Sequence, residues 1–309
     1  MGSHKAKLGN EKRITIRISS AIKKHMYIAI HPFFGADRYR LKYSNLEDVG
    51  SIGEIKHPII KACLERVRIP PGMEIASIAD IPAGTGLGSS SSFTVGLLNA
   101  LNAYRGNSIP KWELAEQACD IEINQVGSPI GKQDQFAAAT GGLNIFRFQQ
   151  DGAVITEPVR TTEKTIKKLE TQLRLYYLGG SRDANKLLRE QSSTVGRDKK
   201  EALIGQMVGM VDTFKGILED GDLASVGPML DEAWQRKKEL SEEVSSSDID
   251  DTYKFAIENG ATGGKLLGAG GNGFLLICHN DHGKLSEQLK LPSIPFEVDL
   301  DGTIVSRMD

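Results

Sequence analysis

Several scarcities in this 309-residue sequence exclude whole classes of protein. No apolar run approaches the roughly 20 residues that a membrane-spanning helix requires, so no membrane partner is expected. There is no excess of positive charge: 38 lysines and arginines against 40 aspartates and glutamates give a net charge of −2. Counterion release therefore has no global basic surface to work through, and no nucleic-acid partner is expected. Cysteine is scarce too, at three residues: Cys63, Cys119 and Cys278. An odd number with no pair at zinc-ligand spacing argues against a disulfide framework or a zinc site. Each sits among apolar neighbours, which predicts buried, reduced thiols. The polar start Met1-Gly2-Ser3-His4-Lys5 has no secretory pattern, so the expected location is cytoplasmic. There is no internal repeat and no low-complexity tract.

What stands out is Ile81-Pro82-Ala83-Gly84-Thr85-Gly86-Leu87-Gly88-Ser89-Ser90-Ser91-Ser92. Three alternating glycines let backbone amides approach a ligand closely. Four serines follow at the start of an apolar run with helical spacing (Phe93, Leu97, Leu98, Leu101). A glycine loop feeding a helix N-terminus presents unpaired N–H groups and the positive end of a dipole, which suits phosphate. No Gly-Lys-Ser/Thr follows, so this is not a Walker A loop.

Around this loop the sequence predicts a mixed order of elements. Strands are expected over 12–19, 21–30, 39–43, 73–78, 143–148, 153–156, 173–178, 274–278 and 296–300. Helices are expected over 58–67, 89–104, 112–124, a short alanine-rich stretch from Lys132, then 184–191, 199–218, 223–240, 248–259 and 282–289. A polar segment over 158–164 marks a boundary.

Two further stations carry chemistry. Glu122 and Asp134 are carboxylates on successive helical segments separated by a Gly/Pro loop, a spacing that can bring both to one pocket. One can hold a divalent metal and the other can take a proton from a hydroxyl. The segment Lys265-Leu266-Leu267-Gly268-Ala269-Gly270-Gly271-Asn272-Gly273 contains Gly-x-Gly-x-x-Gly, formally a dinucleotide fingerprint. That fingerprint needs a helix after it, whereas Phe274–Cys278 reads as a strand. Backbone packing near a ligand or the first glycine loop is the expected role.

These three stations, in this order, resemble the GHMP kinase superfamily. Pro82 to Ser90 matches its Pro-x-x-x-Gly-Leu-Gly-Ser-Ser motif, and Gly268 to Gly273 its C-terminal glycine motif, with Asn272 where glycine is usual. Gly131-Lys132-Gln133-Asp134-Gln135 and Ile78–Thr85 look most like the branch acting on D-glycero-D-manno-heptose 7-phosphate. The resemblance implies an α+β fold in two domains, 1–160 and 161–309. The first would be like ribosomal protein S5 domain 2 and would bind ATP; the second would be ferredoxin-like with a helical insertion. It implies ATP and magnesium as cofactors. Pro82, Gly84, Thr85, Gly86, Leu87, Gly88, Ser89, Ser90 and Ser91 would hold the nucleotide, and Ser90 with Glu122 the metal. Asp134 would be the base, with Lys132 lowering its pKa or binding a sugar phosphate. Gln133, Arg182, Gly270 and Gly271 would meet the substrate. The implied reaction moves the ATP γ-phosphoryl group to the anomeric hydroxyl of a sugar phosphate; homo-oligomerisation is left open. Galactose- and fucose-type sugar kinases are the alternatives within the family.

One departure bears on function. Relatives carry a Gly-Gly-Gly-Thr-Asp sugar loop after the first strand. Here Arg17-Ile18-Ser19 leads straight into Ala21-Ile22-Lys23-Lys24, and 35 to 40 residues of that region have no counterpart. A nucleotide-binding protein without turnover is the reading this departure favours.

Overall fold

The computed structural model describes residues 15–35, 37–179, 197–240, 244–268 and 270–307. Its strands form three sheets. The first is antiparallel, β1 (Thr15–Ser20) against β6 (Leu143–Phe148) against β7 (Val154–Pro158). The second has the order β2-β5-β3-β4: β2 (Met26–Pro32), β5 (Met73–Ala79), β3 (Tyr39–Lys42) and β4 (Leu46–Val49). The third has the order β11-β8-β10-β9: β11 (Ser293–Pro295), β8 (Leu173–Tyr177), β10 (Phe274–Cys278) and β9 (Gly263–Leu266).

The third sheet is wholly antiparallel, with its first strand in the chain between the last and the third. With helices between β8 and β9 and the helix His282–Leu289 before β11, this is the ferredoxin-like arrangement. Where one helix would complete the first crossover, Arg197–Asp220, Val226–Leu240 and Ser247–Glu258 lie in the described residues. The architecture is α+β, as expected. The strand β10 explains itself by its sequence: all five residues of Phe-Leu-Leu-Ile-Cys are buried because helices cover both faces. Phe274, Leu276 and Cys278 pack with Val211, Leu218 and Leu230. Leu275 and Ile277 pack on the other side with Trp234, Ile249 and Tyr253.

The second sheet packs with the helices Pro58–Val67, Ser89–Tyr104, Lys111–Cys119 and Gln133–Thr140 around a separate core that holds Leu41, Leu64, Ile75, Leu97, Leu101 and Phe136. The first sheet joins the two halves. Ile16 and Ile145 sit in the later half's core, while Phe146 belongs to the earlier one. The segment after β11 returns to the first half: Gly142 N–H donates to Asp299 O (2.6 Å) and Asp299 N–H to Ala21 O (3.0 Å). The glycines Gly141 and Gly302 make this approach, since a Cβ on Gly141 would lie 2.3 Å from Gly302 N. All three cysteines are buried, and burial pushes their thiols up, Cys119 to about 12. Among the described residues, no helix is long and apolar enough to cross a membrane.

Some elements differ from the sequence reading. Residues 21–25 are not strand, because Ala21–His25 turns the chain from β1 to β2; Ile22 makes only an isolated bridge to Val298. The expected strand at 296–300 shrinks to that bridge, and the last strand is Ser293–Pro295. The polar boundary segment runs into a helix, Glu163–Gln172, that Thr162 caps by accepting from Thr165 N–H at 3.1 Å. That helix buries only Leu169, so its apolar stripe is too thin to read. The expected helix at 184–191 lies outside the described residues.

The two glycine-rich segments meet backbone to backbone. A Cβ on Gly268 would lie 2.6 Å from the Cα of Gly86, and one on Gly273 would lie 2.4 Å from Thr85 O. Both glycines also have positive φ, 68° and 105°. Gly273→Ala is therefore expected to destabilise the fold by about 1–3 kcal/mol through overpacking and to weaken ligand binding at the first loop. Chemical denaturation of the two proteins checks the first effect and nucleotide titration the second.

Candidate active site

The site is built on the N-terminus of the helix Ser89–Tyr104. Gly88 caps it in the left-handed conformation (φ 72°), and Gly84 and Gly86 also have positive φ. Among the described residues no side chain caps this helix, which leaves its first N–H groups for a ligand. Leu87 and Ile81 anchor the loop by packing toward the later half's core, while Phe93, one turn into the helix, belongs to the earlier core. The loop is thus held from both halves.

Glu122 approaches from below. The helix Lys111–Cys119 runs on into a wider π-helical turn, Asp120–Gln125, of a kind frequent at functional sites. Glu122, one turn past Ala118 and Cys119, falls on its buried side and is fully buried. Ser90 Oγ donates to its Oε1 at 2.6 Å, and Gln135 Nε2 to its Oε2 at 2.6 Å. Among the described residues no cation pairs with it. A buried carboxylate held only by neutral donors is costly unless a positive charge arrives. Among the described residues Gln135 Oε1 is also buried without a hydrogen-bond partner. Hard oxygens with an uncompensated negative charge fit magnesium, which takes one or two carboxylates plus phosphates and water. Magnesium would be held here by Glu122 and Ser90 and would supply charge neutralisation to the phosphates.

Asp134 opens the helix Gln133–Thr140 and lies directly over the glycine loop. A Cβ on Gly88 would lie 3.4 Å from the Cβ of Asp134 and 3.6 Å from its Oδ2. Its side chain is open to a cleft yet crowded by the concave protein wall around it. Burial first, and the charge of Glu122 second, push its carboxyl above the ordinary aspartate range. The cleft measures about 2890 Å³, against roughly 300–1,000 Å³ for a pocket holding one small ligand, so it has room for two substrates together.

Ser90, Glu122 and Asp134 therefore converge with Gly84 to Ser89, and Pro82 lies at the loop's entry. Gln133 lines the same cleft, its Nε2 3.5 Å from Ser19 Oγ on β1. Other expected residues are placed differently. Thr85 is buried and its hydroxyl donates to Pro82 O (3.0 Å), and Ser91 is 2% exposed, so these two side chains face inward. Lys132 is held away by Glu116 (3.0 Å) and Gly152 O (2.7 Å). It does not lower the pKa of Asp134, which moves up. Gly270 and Gly271 pack on Val244, and Gly271 N–H donates to Val244 O at 2.9 Å. Arg182 lies outside the described residues. Sequence reading missed the role of Gln135, which is buried one residue beyond Asp134; its neighbour's chemistry masked it.

Comparison with known proteins gives concordant matches. Residues 55–142 match the family model for the GHMP kinases N terminal domain, and residues 213–290 that for GHMP kinases C terminal. The chain is 30% identical over 241 residues to D-glycero-alpha-D-manno-heptose 7-phosphate kinase from Campylobacter jejuni, covering 76% of this chain and 70% of that protein. It is 29% identical over 237 residues to a galactokinase from Thermococcus kodakarensis, covering 69% and 66%. Among solved structures, a D-glycero-D-manno-heptose 1-phosphate kinase from Bacteroides thetaiotaomicron superposes with a TM-score of 0.75 at 23% identity, covering 94% and 91% of the two chains. The mevalonate kinase of Methanococcus jannaschii gives 0.72 at 20% identity, covering 92% of each.

The raised carboxyl of Asp134 has a consequence for stability. The folded protein holds that proton more tightly than the unfolded chain, so the group's contribution improves as pH falls through its folded pKa. Asp134→Asn removes the disfavoured charge. It is expected to raise Tm at about pH 7 and to give no gain near pH 3, below the ordinary aspartate pKa of about 3.9, where neither protein carries the charge. Thermal unfolding across that range checks it.

Proposed function

The chain belongs to the GHMP kinases, phosphotransferases with an alcohol group as acceptor, and on that premise we propose that it transfers the γ-phosphoryl group of ATP to the anomeric hydroxyl of a sugar phosphate. D-glycero-D-manno-heptose 7-phosphate, giving the 1,7-bisphosphate for surface-polysaccharide precursors, is the acceptor we favour, supported by the similarity to the Campylobacter jejuni kinase. We read residues 1–160 as the ATP-binding half and 161–309 as the C-terminal half; the ferredoxin-like sheet, drawn wholly from residues beyond 172, supports that division.

One observation carries the reading: the Asp134 carboxylate sits against Gly88, at the mouth of the serine helix. Phosphoryl transfer asks little covalent work of a protein; it asks for positioning and for charge stabilisation. The backbone N–H groups from Gly84 to Ser89 would hold the phosphates, with Ser90 and Glu122 below them. Asp134 would accept the proton of the acceptor hydroxyl beside the terminal phosphate. A carboxyl pushed upward is a stronger base than an ordinary aspartate, and an anomeric hydroxyl is the most acidic hydroxyl of a sugar. Gln133 would touch the acceptor from the same helix.

A second reading rests on the short Ala21–His25 connection between β1 and β2, which leaves no room for a sugar loop. It makes the chain a nucleotide-binding protein without turnover. Coupled ADP release against heptose 7-phosphate, galactose, fucose and mevalonate separates the two readings. Turnover with heptose 7-phosphate and phosphorus NMR showing phosphate on the anomeric oxygen support the kinase. Nucleotide binding with no acceptor-dependent ADP release supports the second reading. Asp134→Asn is expected to lower kcat by about 10²–10⁴-fold while leaving ATP binding in place. Glu122→Gln is expected to raise the magnesium concentration needed for half-maximal rate; a mutant with unchanged magnesium dependence removes Glu122 from the metal site.

A further inference from the structure

Among the cations lining the cleft, three bear on one another. Arg17 projects from the middle of β1, Lys237 from the helix Val226–Leu240, and Lys265 from β9. Three elements distant in sequence thus bring positive charge to one cleft, near enough for each charge to act on another. Among the described residues none of the three has a carboxylate partner. Arg17 Nη1 donates to the neighbouring Ile16 O at 3.0 Å, and Lys237 Nζ to Gly268 O at 2.6 Å. Arg17 is exposed to the cleft and the two lysines are half-buried, and the protein crowded around them holds all three below their ordinary values, Lys237 at about 7. The lysines are lowered further by cationic neighbours: Lys265 by Arg17, and Lys237 by both. Like charges crowded into a protein wall without counterions are unfavourable by themselves. The free energy they lose is recovered when an anion of high charge binds between them.

We propose that Arg17, Lys237 and Lys265 form a second phosphate subsite, which takes the phosphate that the acceptor already carries and not the group being transferred. This rests on the sugar-phosphate reading above, and it explains how such an acceptor is told from a plain sugar. The spacing suits it. Arg17 and Ser19 share one face of β1, two residues and so about 7 Å apart. Ser19 touches Gln133, the residue before Asp134. An acceptor with its reacting hydroxyl at Asp134 would extend along β1, past Ser19, and set its far-end phosphate among the cations. Lys237 lies close to the nucleotide loop, because the carbonyl it binds belongs to Gly268, which packs on Gly86. The other source of a phosphate here is therefore the nucleotide itself, and the experiment separates the two.

Inorganic phosphate is the probe, titrated by calorimetry into the full chain saturated with a non-hydrolysable ATP analogue and magnesium. The wild type is expected to bind one phosphate. Lys265→Met and Arg17→Gln, on different elements, are each expected to weaken it about tenfold or more, and Lys265→Arg to stay within a few-fold. In steady state, the same two charge-removing changes are expected to raise KM for the phosphorylated acceptor about tenfold or more and leave KM for ATP within about twofold. Phosphate binding that vanishes once the analogue is bound, with KM for ATP rising in the variants, overturns the proposal and gives the cations to the nucleotide. Phosphate binding equal in wild type and both variants overturns it as well. If the wild type turns over no sugar phosphate, the function proposed above fails, and the calorimetry still decides the subsite.

Discussion

The contact on which the site depends is between two stretches of bare backbone. Gly268 lies on Gly86, and Gly273 on the carbonyl of Thr85, at distances that no side chain would permit. Side-chain packing can absorb small shifts by changing rotamers; backbone seated on backbone has no such slack. The loop that would hold phosphates is therefore fixed in height by a segment of the opposite half. Its own hydrophobic anchors, Leu87 toward the later core and Phe93 in the earlier one, fix it laterally.

From that fixed loop the electrostatics follow. The helix N-terminus and the carboxylates of Glu122 and Asp134 beside it carry opposite charge at one end of the cleft. Burial first, and the charge of Glu122 second, raise Asp134, and Glu122 has no cation partner among the described residues. In the same cleft, Arg17, Lys237 and Lys265 have no carboxylate partner among the described residues. The protein keeps these unfavourable charges apart in two groups, when pairing them with each other would relieve both. Such separation is the pattern expected where ligands complete the charge balance.

Much of this was legible from residues alone. The helix Ser89–Tyr104 and the strand Leu143–Phe148 fell where the pattern put them, because each has strong punctuation: glycine before Ser89, and Gly141-Gly142 before Leu143. The strand after Gly273 also appeared, which removes the dinucleotide reading of Gly268–Gly273. What was not legible depends on partners far away in sequence. Lys132 reads as a neighbour of Asp134, but Glu116, on a different helix, decides where its ammonium goes. Gly270 and Gly271 read as ligand contacts, and only the fold shows that Val244 packs on the first and accepts from the second. Lys237 looks like one more charge on an amphipathic helix; only the fold shows that Lys265 and Arg17 stand beside it. The four residues Leu46–Val49 are too few to show a period, and their pairing with β3 makes them a strand.

The return of the chain at Asp299 has a consequence for the order of assembly. Ala21 and Gly142, in the first half, bond to Asp299, and Asn99 Nδ2 to the hydroxyl of Thr303 at 3.1 Å. During synthesis those partners leave the ribosome after every strand and helix described. The earlier half has its own core, but its last backbone pairs close only once residues 299–303 have been made. A nascent chain stalled before that stretch would expose Gly141 and its neighbours to the solvent and to chaperones.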